Sequence, residues 1–315
     1  MARSRLAILL AGIGLLAGLA LWAGLPAIEQ CFASLGLGGI LVVVLVHVPL
    51  ILLMGLAWWW IGKPHAGPAS FVMARLVRDS VAELLPFSQV GGFAAGVRLL
   101  TLRGVAMHAG TSSLFADLVM EFSTKILYAI AGLALLARLR PGSSVPSYMV
   151  LTFIILGGLG LLALLCRKSI ARAVTRLLGR WGGAESLHTL LVPQRLAPSS
   201  LLHVMCWALG GPEAWVTLHL MGIPVTMAEA LVIDSLATSL RTFGFWMPAA
   251  LGVQEAAYVL ACAPFGLGAS QALAFSLVRR VRDILLGATG VGLWQSLEVK
   301  HARRCLPDIK AATEP

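Results

Sequence analysis

Charge is scarce in this chain: Asp, Glu, Lys and Arg make up 12% of its 315 residues, about half the roughly 25% of a soluble globular domain. That shortage, with 58% hydrophobic residues and a mean hydropathy of +0.88, excludes an ordinary soluble fold and points to an integral membrane protein. Acids are the scarcer kind, 14 against 24 Lys and Arg. The net charge of +10 still does not imply nucleic acid, because the basic residues cluster between apolar spans, where the preference for positive cytoplasmic loops accounts for them. Paired cysteines are missing. Cys31, Cys166, Cys206, Cys262 and Cys305 are scattered and form no CxxC, which leaves no zinc or redox spacing; they read as small core residues. The 7 histidines form no HExxH or similar cluster, so no metal is expected, and His47 on an apolar helix reads as packed. No GxxxxGK[ST] occurs, which excludes a P-loop for ATP. A Ser, His and Asp arrangement and an acidic repeat of the lipid-transferase kind are also absent, so neither a catalytic residue nor a cofactor is expected and the chain does not read as an enzyme.

What is present is apolar length. Runs of about 20 residues, enough to cross the hydrocarbon core, fall near 6–25, 40–61, 112–137, 148–166, 200–221 and 270–296. The opening MARSR and the apolar stretch to Leu25 resemble a secretion signal, yet no AxA site follows and the stretch is long enough to span, so a retained first helix is expected. Two further segments, about 76–104 and 228–266, are broken by Pro86 with Gly91 and Gly92, and by Pro248 with Gly252. Each reads as a helix, a turn and a second helix.

With the amino terminus in the cytoplasm, 17 of the 24 basic residues fall on the inner side, among them Lys63, Arg75, Arg78, Arg98, Arg103 and Lys300, and only Arg138 and Arg140 fall outside. This asymmetry places both termini in the cytoplasm. It holds only if each broken segment returns to the side it entered, so both are expected to be re-entrant hairpins, the first entering from inside and the second from outside. The fold class is then an all-α integral membrane protein of about six transmembrane helices and two re-entrant helical hairpins in an inverted repeat. The single polytopic domain, residues 1–315, divides into repeat 1 (about 40–137), a basic cytoplasmic linker (about 167–198), repeat 2 (about 200–296) and a tail (298–315). A slide of 158 positions supports the repeat, aligning Gly110 with Gly268, Ser112 with Ser270, Ala116 with Ala274 and Gly132 with Gly290. Inverted repeats with broken helices are the architecture in which secondary transporters hold substrate near the bilayer midplane.

Ionisable residues inside the spans mark the candidate site, because charge in hydrocarbon is expensive. The first long helix carries Asp117, Glu121 and Lys125, and the last carries Arg279, Arg280, Arg282 and Asp283. In that last helix about ten large apolar residues, at roughly 0.3–0.6 kcal/mol each, favour insertion against four central charges at roughly 2.5–3.5 kcal/mol each. It must be covered by partners, water or a ligand, and Asp117 and Glu121 on the equivalent helix carry the opposite sign. Backbone at the hairpin breaks needs protein or water beside it. Ser88 and Gln89 sit at the first break, Arg241 just before the second, Gln254 and Glu255 just after it. Half-helix starts also offer amides to an anion. Two readings of the charges stand: an ion-pair network that only locks helices, or groups that line a cavity, with Arg241, Arg279 and Arg282 on an anionic headgroup and Glu255, Asp117 and Glu121 as counter-ions or proton carriers. The hairpins have the alternative of amphipathic helices lying on the surface. Gly210, Gly211, Pro212 and Glu213 read as a kink, Trp58 to Trp60 as an interfacial anchor, and Arg167 to Arg195 as amphipathic helices on the cytoplasmic face.

At these same residues the chain resembles the lysylphosphatidylglycerol-synthase-type transmembrane, or flippase-like, domains, in particular their hopanoid-biosynthesis-associated branch. The resemblance rests on RDSVAELLPFSQVGGFAAGVRLL at Arg78 to Leu100, PAALGVQE at Pro248 to Glu255 and SLVRRVRDILLG at Ser276 to Gly287. Members commonly carry an acidic residue after the first glycine pair, where Phe93 stands here. The resemblance implies a lipid translocase in a bacterial cytoplasmic membrane, without the aminoacyl-transferase domain some relatives carry, and a hopanoid or an amino-acylated or glycosylated lipid as substrate. A non-catalytic scaffold that docks a lipid-biosynthesis enzyme, and an intramembrane lipid-modifying enzyme, are the alternatives.

Overall fold

The computed structural model describes residues 25–84, 88–141, 192–244 and 250–313, and among these the regular structure is helical without a strand. The spans expected near 6–25 and 148–166 (Leu25 apart), most of the basic linker, and Pro86 and Pro248 of the two breaks lie outside the described residues. The described helices are α1 (Leu25–Gly62), α2 (Pro68–Leu84), α3 (Ser88–Leu102), α4 (Met107–Leu139), α5 (Pro193–Leu220), α6 (Met227–Arg241), α7 (Val253–Cys262) and α8 (Ala269–Thr313).

Local chemistry sets several boundaries. Proline opens α2 and α5 at the first turn, where its missing N–H costs no helical bond. In α6 the Thr226 hydroxyl accepts from the Glu229 N–H while the Glu229 carboxylate accepts from the Thr226 N–H, a reciprocal cap. Helix α7 starts after Gly252 at φ 77°, a conformation glycine reaches without steric cost, and the Glu255 carboxylate accepts from the Gly252 N–H. Gly36, at φ 58° and ψ 178°, breaks α1, so its apolar crossing is Leu35–Gly62. By length and composition that crossing and α4, Met107–Leu139, can each span a membrane. Helix α8 runs to Thr313, so the segment 298–315 read as a tail continues the helix almost to the end of the chain.

Both broken segments form helical hairpins, α2 with α3 and α6 with α7. They enter the bundle from opposite ends. At one end Arg98 of α3 pairs with Glu298 of α8, Arg103 reaches Ser70, and Arg195 reaches the Ile61 carbonyl. At the other, Arg140 after α4 pairs with Glu229 of α6 and donates to the Pro264 carbonyl beyond α7. The inner ends of the hairpins meet between these, where Glu83 near the end of α2 pairs with Arg241 at the end of α6.

Helices α1 and α5 pack antiparallel, as shown by the contacts of His47 with Glu213, Leu50 with Cys206 and Met54 with His203. Around that pair the packing repeats with the halves exchanged: α2 lies on α1 and α8, and α6 lies on α5 and α4. Two glycines aligned by the slide of 158 make equivalent approaches. A Cβ on Gly132 would strike Ser235 of α6, and one on Gly290 would strike Ser80 of α2.

Each hairpin has its own apolar core, one around Trp58, Phe71, Leu99 and Leu100, the other around Ile233, Leu236, Leu273 and Phe275. Trp58 is therefore not the interfacial anchor the sequence suggested. It is fully buried, meets Phe71 edge-on at 5.7 Å, and donates to Ser113 Oγ at 3.0 Å. The exterior, in contrast, is apolar: Leu41, Leu45 and Leu52 of α1, Val119, Phe122 and Leu127 of α4, and Leu201 of α5 all face outward.

Candidate functional site: a buried ion-pair core

Charges left out of the exterior gather inside in two clusters. The first joins α2, α4 and α5. Arg75 grips Glu121 through both terminal nitrogens, at 2.9 and 3.1 Å, and donates from Nε to Asp79 at 2.6 Å. Arg78 donates to Glu121 at 2.7 Å and Asp117 at 3.4 Å, and the other Asp117 oxygen meets His203 Nε2 at 3.1 Å. Helical spacing accounts for the local part: Arg75 and Asp79, like Asp117 and Glu121, lie one turn apart on one face.

The second cluster joins α1, α4, α5, α6, α7 and α8. Arg279 pairs with Asp234 at 2.5 Å and donates to the Tyr258 hydroxyl at 2.6 Å, while Tyr128 donates to the other Asp234 oxygen at 3.0 Å. Arg282 pairs with Glu213 and with Asp283, and His47 Nδ1 lies 3.0 Å from the second Glu213 oxygen. Burying ions without such partners costs several kcal/mol each, so the near balance of signs is what lets four charges sit in the middle of α8.

Asp117 and Glu121 are thus not the counter-ions of Arg279 and Arg282. Arg75 and Arg78 neutralise the first pair, and Asp234, Glu213 and Asp283 the second. Arg75 and Arg78, counted from the sequence among inner-side basic residues, are 6% and 3% exposed within the bundle. Glu213 is a buried ion-pair partner as well as the neighbour of Pro212 inside α5, and His47 is drawn into the polar network. A signal was available: Arg75, Arg78 and Asp79 recur at helical spacing in a helix of 17 residues.

Of the other candidates, Arg241 pairs with Glu83. Glu255 is fully buried, accepts from Arg280 at 2.6 Å and caps α7, while Gln254 donates to Ser276 at 3.3 Å; both fasten the second hairpin to α8. Ser88 and Gln89 open α3 beside the first hairpin's turn. Asp283 faces a small open cleft of about 50 Å3 between α1, α2 and α8, with His47, Asp79, Ser80 and Glu83 among its other polar lining groups. That volume suits a few waters, each needing roughly 10–15 Å3. Among the described residues no three His, Cys, Asp or Glu side chains are placed to hold a metal ion.

Inward charge under an outward apolar surface defines an all-α integral membrane protein, since hydrocarbon tolerates the reverse at great cost. The family described as lysylphosphatidylglycerol synthase TM region matches residues 9–290, and the chain belongs to that family. No curated protein and no solved structure matches it.

Proposed function

We propose that the protein is a translocase for a membrane lipid or related amphiphile, not an enzyme, and that it works in a bacterial cytoplasmic membrane with both termini inside. The observation that carries this reading is the meeting of two hairpin ends within a buried ion-pair core. Their helices, of 17, 15, 15 and 10 residues, are each about 15–26 Å long at 1.5 Å per residue, short of the roughly 30 Å hydrocarbon core. Hairpins of that length dip and return, one from each face, and broken helices in opposed halves are how transporters expose one site alternately to two sides. The acid-lined cleft beside the Glu83–Arg241 contact is the natural place for a headgroup to enter. Arg282 and Arg241 act through their carboxylates: a headgroup that competes for Asp283 or Glu83 releases the arginine paired with it, and the pairing shifts.

Membership of a lipid-linked family supports the substrate class, and the resemblance of the three quoted strings to the hopanoid-associated branch makes a hopanoid or a modified phospholipid the first cargo to try. Purified protein reconstituted in vesicles with labelled lipids tests this. Faster movement of at least one such lipid between leaflets than in protein-free vesicles supports the proposal. Equal rates for every lipid, with a lipid-synthesis enzyme co-purifying, would instead favour a docking scaffold.

A further inference from the structure

Lys125 differs from the other cations at the centre of the bundle. Arg75, Arg78, Arg241, Arg279, Arg280 and Arg282 each pair with a carboxylate; Lys125 pairs with none among the described residues. Its ammonium donates to Thr242 Oγ1 at 3.3 Å and lies over the Trp207 ring, 4.7 Å from the centroid. Glu121, one turn back on α4, lends its charge from nearby, but its ion pairs are with Arg75 and Arg78 and not with Lys125. The carboxylates whose side chains lie outside the described residues are Glu185 in the basic linker and Asp308 and Glu314 near the end of the chain, none in an apolar span.

A second donor belongs to the residue before Thr242. Arg241 precedes Thr242, and its Nε–H is buried without a hydrogen-bond acceptor even though the terminal nitrogens reach Glu83. The Nε atoms of Arg78 and Arg279 are unpaired as well, but that of Arg241 sits one residue from the contact of a cation without an ion-pair partner, which marks a place where an acceptor belongs. The aromatic wall is fixed as well. Trp207 Nε1 donates to Thr124 Oγ1 at 3.1 Å, and the ring stacks on Tyr128.

The slide of 158 positions gives this corner a counterpart. It pairs Lys125 with Asp283, Arg241 with Glu83 and Thr238 with Ser80. Asp283, Glu83 and Ser80 line the acid cleft of the other half, so the equivalent corners of the two halves carry opposite charge. A cation suits the one; an anion suits the other.

We infer that the corner formed by Lys125, Thr242 and the Arg241 Nε–H binds the phosphate oxyanion of an amphiphile's headgroup. This rests on the translocase reading only for the source of the phosphate. An oxyanion there accepts from the ammonium and from Nε–H together, two charge-assisted bonds in a setting with little water.

Binding to purified protein in neutral detergent tests it, with short-chain phosphatidylglycerol, short-chain diacylglycerol and inorganic phosphate as probes. Phosphatidylglycerol is expected to bind, and Lys125→Met to weaken it about tenfold, the change expected for loss of one charge-assisted hydrogen bond. Lys125→Arg retains binding, as does Lys63→Met, which removes a similar Lys–Trp contact outside the core. Diacylglycerol binds equally to all. Lys125→Met without lipid unfolds at the wild-type temperature or above, because it removes a buried charge that has no ion-pair partner among the described residues; a structural ion pair would give the opposite. Equal phosphatidylglycerol affinity in wild type and Lys125→Met overturns the inference, and binding of inorganic phosphate alone overturns the lipid source. Lys125-dependent lipid binding in a protein that moves no lipid leaves the site standing and removes the translocase reading. Lipid movement with normal binding in Lys125→Met does the reverse.

Discussion

Residues of the same charge have unequal worth here because their surroundings differ. Glu121 holds two arginines inside the bundle, and losing one member of a buried network typically costs about 3–5 kcal/mol. Glu121→Gln should therefore lower the thermal midpoint in detergent by many degrees. Glu298 holds Arg98 at the bundle's edge, where both side chains are a third or more exposed, and such pairs contribute roughly 0–1 kcal/mol. Its pH dependence has a definite sign. The hydrogen bond from Arg98 holds the Glu298 carboxyl below its ordinary range, so the contribution is present above that range and is lost only as pH falls through the lowered value. The difference in midpoint between wild type and Glu298→Gln should be small, constant through neutral pH, and gone in strong acid. Reading single residues from sequence failed where partners mattered. Nothing local to Asp117 tells that His203 and Arg78 answer it, because they come from α5 and α2, and only the packed register brings all three together.

At the scale of helices, sequence signals went further. Proline with glycine marked both hairpins, and the charge asymmetry put Lys63, Arg98, Arg103 and Lys300 toward one side and Arg138 and Arg140 toward the other. Apolar length located the C-terminal ends of α1, α4 and α5 closely, but placed their starts late, at 40, 112 and 200 against Leu25, Met107 and Pro193. It erred at Trp58, since three tryptophans at a span's end look alike in sequence, and only packing shows that the first turns inward. The slide of 158 carried more than it was used for. Applied to the hairpin helices, it sets Glu83 against Arg241, the pair that joins their inner ends. Close approach between helices gives an element-scale prediction. Gly132→Ala drives a methyl into Ser235, and Gly290→Ala drives one into Ser80; overpacking of this kind costs about 1–3 kcal/mol. Each should lower the midpoint, and Ser235→Ala added to Gly132→Ala should recover part of the loss. Independent, additive effects would show that α4 and α6 do not touch there.

For the whole molecule, the relation between the halves is what matters. Glu83 and Arg241 occupy equivalent positions and bind each other, so the contact lies where the two halves meet. Glu83→Arg and Arg241→Glu should each impair stability and lipid movement, while the double exchange restores stability but not lipid movement, because the Arg241 Nε–H is gone from the phosphate corner; recovery of lipid movement as well would show that the sign at each corner does not matter. The account depends most on how deep the hairpins reach. In a variant with its native cysteines replaced, single cysteines at Val90 and Phe243, beside the two turns, report this through labelling by a membrane-impermeant maleimide from each side of oriented vesicles. Cysteines at Lys63 and Arg140 define the two faces. The account predicts that Lys63→Cys and Arg140→Cys label from opposite sides while Val90→Cys and Phe243→Cys label slowly from both. Rapid labelling of Val90→Cys from the face marked by Arg140, or of Phe243→Cys from the face marked by Lys63, would mean that the hairpin helices cross completely and would contradict it.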